Sequence, residues 1–520
     1  MKSLFPSLLL TSSLSILLSF VVNAQDDGAI TAGAAPAEAI KAYSCDPASC
    51  KLPDCACAST SPPGGLQPKD TPMFIVFTAD DALQSYTIDA VNSLLQKRTN
   101  PNGCSPKMTY YTQISYTNFS MVTEWYGLGN EIADHTMTHI ELAGADEING
   151  NLIALNALAG IPLADIKGFR APYLNYSAGL LNQLAQSGFL YDSSATSSSP
   201  VSDPDTDAFW PYTLDHGLLN DCNTFEDICF GKPQLPGFWE IPMYALFDSS
   251  GNANNIHLMD PWLDNSDPAF TLKFMKETFT AHYNGNRQPF GLYTHPIHLS
   301  TTYPGLSSPA ALVSMINEFL DWAQEQENVW IVSSEQLLAW VRDPKSITDL
   351  GQSDALKCQN VTLPAGTNIC NGLPGYDSSL LARCSFSDFP FSTCYGCPKS
   401  QPSVSDPNPE QVPVGGSGLR HRLPSNCSTA CWDPIGNTCV SGSDCLFEDT
   451  SRPIGPNGSE LTGGGTDSPS STLDSSAPAA TATKIYVPFS NNASPIAKLS
   501  NQKFIVEVLV ALIGAVTTFM

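Results

Sequence analysis

Between about residues 72 and 341, short apolar runs alternate with longer stretches of helical periodicity, and this alternation restricts the fold more than any other feature of the chain. Segments 73–78, 108–114, 238–243, 290–294 and 329–333 read as strands. Segments 146–159, 177–187, 268–283 and 309–327 read as helices. Strands that alternate with helices pair in parallel, because a parallel neighbour is reached only through a crossover. The predicted class is α/β, an irregular (β/α) barrel, with any chemistry at the carboxyl ends of its strands.

The flanks carry addresses rather than core. Residues 1–24 combine Lys2, an apolar stretch and the small-residue site Val22-Asn23-Ala24, which reads as a secretory signal peptide. Residues 504–520 are almost wholly apolar, short for a spanning helix and followed by no basic flank. Small residues from Asn491 to Ser494 and a polar spacer over 495–503 make them a glycosylphosphatidylinositol (GPI) attachment signal, with Asn492 as the attachment residue. Glu507 interrupts the tail, and a frayed hydrophobic tail or one transmembrane helix is the alternative.

Sixteen cysteines behind a signal peptide are most simply eight disulfides. Cys104 with Cys358 would tie the ends of the barrel, and Cys222 with Cys229 would close a short loop. Zinc at Cys55-Ala56-Cys57 is disfavoured, since thiolate sites space their ligands more widely. Sequons at Asn118, Asn175, Asn360, Asn426 and Asn457 agree with a secretory route to the cell surface or wall. Residues 400–414 and 451–484 are rich in Ser, Thr, Pro and Gly, so a Cys-rich, disordered C-terminal extension is expected. The divisions are a Cys-containing segment at 25–71, the α/β domain at 72–358 and a Cys-rich extension at 359–400. A linker at 401–425, a four-Cys segment at 426–449, a stalk at 450–492 and a GPI propeptide at 493–520 follow. With 50 acidic and 24 basic residues the net charge is −26, and no basic run occurs. Nucleic acid is therefore excluded as a partner, and membrane contact would come through the lipid anchor.

The chemistry concentrates in a few motifs. Thr78-Ala79-Asp80-Asp81 ends the first strand with two adjacent carboxylates, which repel unless a cation or a shared proton compensates them. In Asp134-His135-Thr136-Met137-Thr138-His139 two imidazoles lie four residues apart, a spacing that lets both face one point from a helical turn or tight loop. The chain has only 8 histidines, which makes the pair downstream of the Asp-Asp strand end a metal candidate. Arg170-Ala171-Pro172-Tyr173, Tyr191-Asp192-Ser193-Ser194 and Gly291-Leu292-Tyr293-Thr294-His295 follow.

The order of these motifs resembles the polysaccharide deacetylases of carbohydrate esterase family four, the NodB-homology fold. The likeness is strongest to the chitin deacetylase branch and spans about residues 45–358, including Cys45 to Cys55, Asn100-Pro101-Asn102-Gly103-Cys104 and Trp210-Pro211-Tyr212. The resemblance implies Asp80 as general base and Asp81, His135 and His139 as ligands of one divalent metal ion, Zn2+ with Co2+ as the alternative. It implies that Arg170 orients Asp80, that the Tyr173 backbone N–H stabilises an oxyanion, that His295 is the general acid steadied by Asp192, and that Trp210 walls the sugar groove. The implied reaction is amide hydrolysis of N-acetylglucosamine polymer, chitin, by a monomer. Another acetylated polysaccharide is the alternative substrate, and a catalytically silent wall protein the alternative class.

Ala79 stands where the family usually carries Phe, and Asp134 is an additional carboxylate. His298 is a second histidine in the last motif. Trp239, Trp262, Trp322, Trp330 and Trp340 read as core or rim aromatics, and His216, His257 and His282 as surface histidines. No G-x-S-x-G or H-E-x-x-H motif occurs.

Overall fold

The computed structural model describes residues 35–222, 227–249, 255–301, 309–358, 382–387, 389–394 and 396–409, and the backbone of three short strands at 431–433, 438–439 and 447–448. The signal peptide, the stalk, the apolar tail, Asn360, Asn426, Asn457, Asn491 and Asn492 lie outside the described residues. Among the described residues no helix is long and apolar enough to cross a membrane.

Strand β1 (Met73–Asp80) is followed by α1 (Ser85–Leu95), β2 (Thr109–Thr112), α2 (Phe119–Gly127), β3 (Glu131–Asp134) and α3 (Ala145–Ala159). Then come β4 (Gly168–Phe169), α4 (Ala178–Gln186), β5 (Tyr191–Asp192), β6 (Tyr212–Leu214) and β7 (Leu235–Glu240). The domain is completed by α5 (Pro268–Asn284), β8 (Phe290–Thr294), α6 (Ala310–Gln324), β9 (Val329–Val332) and α7 (Ser334–Arg342). The sheet runs β8-β1-β2-β3-β4-β5-β7-β6, with β9 also paired to β1. Every pairing is parallel except β7 with β6.

The first strand shows why the sheet curls. Met73, Ile75, Phe77 and Ala79 point into a large apolar core shared with the helices, while Phe74 and Val76 point the other way. Their neighbours on that second face are Tyr111 of β2, Ala133 of β3, Tyr191 of β5, Trp239 of β7 and Val332 of β9. One cluster fed by inward side chains from so many strands requires the sheet to wrap around it, as in an irregular barrel. Leu337, Leu338, Trp340 and Val341 of α7 plug it. Strand alternation then puts Thr78 and Asp80 on the inner face, at the carboxyl end of β1.

The strand expected over 238–243 begins earlier and stops at Glu240, because Pro242 removes a ladder donor. Periodicity did not flag α1, α2 or α7, which have 11, 9 and 9 residues. Caps define the last two instead: Asn118 accepts from the Ser120 N–H and Ser333 from the Gln336 N–H.

Both expected disulfides are present, Cys104–Cys358 and Cys222–Cys229. Cys45–Cys57 and Cys50–Cys55 staple the N-terminal segment, so the Cys55 and Cys57 thiolates are not zinc ligands. The Cys-rich extension is described in part. Strands Ala382–Cys384 and Phe391–Thr393 pair antiparallel, Cys384 is bonded to Cys397, and Phe389 and Phe391 enter the main core. Phe391 packs edge-on to Phe119 with ring centroids 5.8 Å apart, and the Thr393 hydroxyl donates to the Leu158 carbonyl. Two buried phenylalanines and a disulfide supply what the low-complexity stretch around them lacks. Truncating a core Phe costs about 3–5 kcal/mol. Phe391→Ala should therefore lower the stability of the whole domain by that order in denaturant unfolding, whereas an extension independent of the barrel would leave the main transition unmoved.

Candidate active site

The site is assembled at the carboxyl ends of β1, β3, β4 and β8. Asp80 and Arg170, 1% and 0% exposed, form an ion pair of 2.8 Å inside the barrel. The same guanidinium nitrogen donates to the Thr78 hydroxyl at 2.7 Å, because Thr78 and Asp80 share one strand face. Arg170 Nε donates to the Ser193 carbonyl at 2.9 Å, and its guanidinium carbon lies 4.1 Å from the Tyr111 ring centroid and 5.2 Å from that of Tyr293. Burial opposes the Arg170 charge, but the Asp80 carboxylate together with Tyr111 and Tyr293 outweighs it and raises its pKa.

Asp81 turns out of the strand with φ 79° and faces the two histidines. Its Oδ1 lies 3.2 Å from His139 Nε2 and 4.0 Å from His135 Nε2. His135 follows β3 directly, and a tight loop rather than a helical turn brings His139 beside it. Asp134 makes that loop: its carboxylate accepts the Thr136 N–H at 2.8 Å, and Thr136 and His139 adopt φ of 62° and 58°. Glu147 of α3 holds the far side through the Thr138 N–H and hydroxyl. The additional carboxylate noticed in the sequence thus shapes the histidine loop.

His135 Nδ1 donates to the Arg170 carbonyl at 2.8 Å, which leaves Nε2 as the bare nitrogen turned towards Asp81. Burial, reinforced by His139, pushes the His135 pKa down to about 3, so the ring is neutral as a ligand must be. The Nε2 atoms of both His135 and His139 are buried without a hydrogen-bond partner. Two orphaned imidazole nitrogens beside a carboxylate oxygen fit a divalent cation.

His295, at the end of β8, is held from below by Asp260 rather than by the Asp192 that the sequence suggested. Asp260 Oδ2 lies 2.6 Å from His295 Nδ1, and the same carboxylate accepts the His295 N–H and the Thr294 hydroxyl. Asp192 is buried on β5, beside Glu240 in the ladder and bonded to the Ser194 N–H and hydroxyl. Burial raises its pKa to about 6, and burial, reinforced by Asp192, also raises that of the neighbouring Glu240. Ser194 Oγ in turn accepts the Ala171 N–H, so Asp192 steadies the loop of Arg170. Asp260 was missed because nothing fixes its spacing to His295. Its one local signal is an apolar Leu258-Met259 ending in an acid, the pattern that flagged Asp80.

Trp210 does not line a groove. It is 2% exposed, packs on Trp340 in the inner cluster and donates Nε1–H to the Asn286 carbonyl, since the N-terminal segment covers it through the Ser59 carbonyl. Tyr173 is 45% exposed at φ 57°, its ring against His139. The expected core tryptophans Trp239, Trp262, Trp330 and Trp340 are buried. His257 and His282 are not surface residues: His282 is buried with a pKa lowered to about 4 by desolvation, and His257 sits between two aspartates. Asn118 and Asn175 are half-buried, one capping α2 and the other donating to Glu141. Asp80, Asp81, Gln113, Tyr116, His295 and Ile297 line one cleft of about 220 Å³.

An inner-barrel ion pair beside an Asp-His-His donor set, with an aspartate-held histidine on the same cleft, defines a hydrolase site. The chain is 32% identical over 396 residues to chitin deacetylase 8 of Bombyx mori, covering 73% of this chain and 96% of that protein. It is 30% identical over 394 residues to chitin deacetylase 1 of Bombyx mori, covering 71% and 69%. No family model matches. Among solved structures, the chitin deacetylase of Colletotrichum lindemuthianum is similar at 14% identity and a TM-score of 0.29, over 54% of this chain and 93% of that one. A family 4 carbohydrate esterase from Streptomyces lividans follows at 16% identity and a TM-score of 0.28, over 53% and 97%. This chain belongs to the chitin deacetylase family.

Two outcomes follow from the geometry. His139→Ala removes one nitrogen of the donor set and should abolish stoichiometric Zn2+ binding in equilibrium dialysis, with the fold intact by circular dichroism. His257 lies between Asp264 and Asp248 at 2.6 and 2.9 Å. Burial opposes its charge, but the two carboxylates outweigh it and raise its pKa. A raised folded pKa contributes stability that is complete below the unfolded imidazole value of about 6.5 and is lost as pH rises through the folded value. Wild-type thermal stability should show that loss, and His257→Gln should lack it.

Proposed function

We propose that the protein is a secreted, metal-dependent deacetylase that hydrolyses the N-acetyl groups of chitin, yielding acetate and free amino sugar. The observation that carries this reading is the cleft itself, which gathers the Arg170-paired Asp80, Asp81 with its two histidines, and the Asp260-held His295. The substrate class is supported by the chitin deacetylases to which the chain is similar.

Asp81, His135 and His139 would hold one divalent ion, Zn2+ by the preference of that ion for nitrogen and carboxylate donors, with Co2+ as the alternative. Bound there, the ion would supply Lewis-acid polarisation of the amide carbonyl and a lowered pKa of water. Asp80, kept anionic by Arg170, takes the proton of the attacking water. The Tyr173 backbone N–H donates to the oxygen on which charge develops. His295 then protonates the departing amine, which is too basic to leave as an anion, and does so through Nε2 because Asp260 engages Nδ1.

The leader at 1–24, the five sequons and the small-residue site before an apolar tail support a glycosylated protein, anchored by GPI at the cell surface or in the wall. Acetate release from a chitin oligomer, with and without chelator, tests the function. Asp80→Asn should keep its metal and lose about 10²–10⁴-fold in kcat, the usual range for a general base. Near-normal turnover in the metal-loaded variant would assign the base elsewhere.

A further inference from the structure

The most exposed large apolar side chain among the described residues stands at the mouth of this cleft. Tyr116 is 55% exposed and lines the cleft together with Asp80, Asp81 and His295. Its backbone is left-handed at φ 64°, which for a residue with a Cβ costs about 1–2 kcal/mol. The conformation is held from both sides. The Tyr116 carbonyl accepts from the Gln84 side chain, and its N–H donates to the Pro390 carbonyl of the Cys-rich extension. On either side of it, Gln113 reaches Asp81 and the Ser392 N–H donates to the Thr117 carbonyl. A separate strand pair, closed by Cys384–Cys397, thus buttresses one loop whose outward product is a single aromatic ring.

That expenditure has no return in the core, because the ring is in solvent. Its position accounts for it. A cleft of about 220 Å³ is smaller than the roughly 300–1,000 Å³ of pockets that enclose a whole drug-sized ligand. Sugar residues on either side of the reacting one must therefore lie over the rim. An equatorially substituted pyranose presents flat faces of C–H groups, and an aromatic face, negative at its centre, attracts them. A tyrosine ring carried on a held backbone has only two side-chain torsions to order on binding, so it gives up little conformational entropy.

We propose that Tyr116, locked in place by the C-terminal Cys-rich extension, is a stacking platform for a pyranose residue next to the one being deacetylated, and makes the enzyme selective for chains over short fragments. The inference rests on the proposed function and adds to it a specificity-determining residue. The extension acts through Tyr116 as a positioning element.

Calorimetry of chitin pentamer binding in the Asp80→Asn background, where turnover is slowed about 10²–10⁴-fold, reads the platform directly. Adding Tyr116→Ala should weaken pentamer binding about five- to tenfold, the scale of one aromatic contact. Tyr116→Phe should restore it, since the face and not the hydroxyl does the stacking. In the active enzyme the same loss should fall on KM for the pentamer and be smaller for the dimer. Pentamer affinity unchanged by Tyr116→Ala, or an equal loss for dimer and pentamer, would overturn the proposal. Tyr116-dependent pentamer binding by a wild-type protein that releases no acetate would instead overturn the function and leave the platform standing.

Discussion

The ion pair between Arg170 and Asp80 is the contact on which the site depends. Removing one partner of such a fully buried pair costs about 3–5 kcal/mol, because the other charge is left without compensation in a medium that solvates it poorly. The barrel meets the demand with the Thr78 hydroxyl, the Ser193 carbonyl and two tyrosine faces around the guanidinium. Arg170 also orients groups it does not neutralise. Its own carbonyl accepts His135 Nδ1–H, and the next N–H, of Ala171, is tied to Ser194. The ionisation of Asp80 and the ring orientation of one metal-ligand candidate therefore come from a single residue that directly follows a two-residue strand.

Buried carboxylates organise the neighbouring loops in the same way. Asp207 accepts the Ser198 and Ser199 N–H groups, and Asp221 accepts the Thr196 N–H and the Tyr176 hydroxyl. Burial raises their pKa values to about 6 and about 7 against the pull of those donors. Part of the acidity of this chain is thus internal scaffolding, spent on backbone N–H groups that irregular loops would otherwise leave unpaired. Asp260 belongs to the same pattern, with the difference that its histidine opens onto the cleft.

The ends of the domain are joined by covalent and apolar means together. Cys104–Cys358 spans 254 residues, a loop long enough to contribute about 5 kcal/mol in the chain-entropy model. The extension beyond it inserts Phe389 and Phe391 into the helix-side core and braces the loop of Tyr116. Composition marks 359–400 only as Cys-rich and 401–425 as linker, yet their described residues pack on the domain through Phe389, Phe391 and Val404.

The sequence by itself determined whatever rests on short-range pattern. Alternating apolar runs specify the parallel sheet, the Asp80-Asp81 adjacency puts unlike roles at one strand end, and the four-residue spacing of His135 and His139 lets a tight loop converge them. Only the tertiary structure decided between groups that are equivalent along the chain. Asp192 and Asp260 are both acids after short apolar runs, yet the parallel bridge of Met259 to Tyr293 puts Asp260 under His295, and the register of β5 turns Asp192 towards Glu240. Trp210 lies within a site-like motif and is covered by the N-terminal segment, while Tyr116 lies in no motif and is exposed by a carbonyl more than 270 residues away, that of Pro390. Periodicity and adjacency are written locally in the chain, whereas burial and partner choice are set by which distant segments come to share a volume.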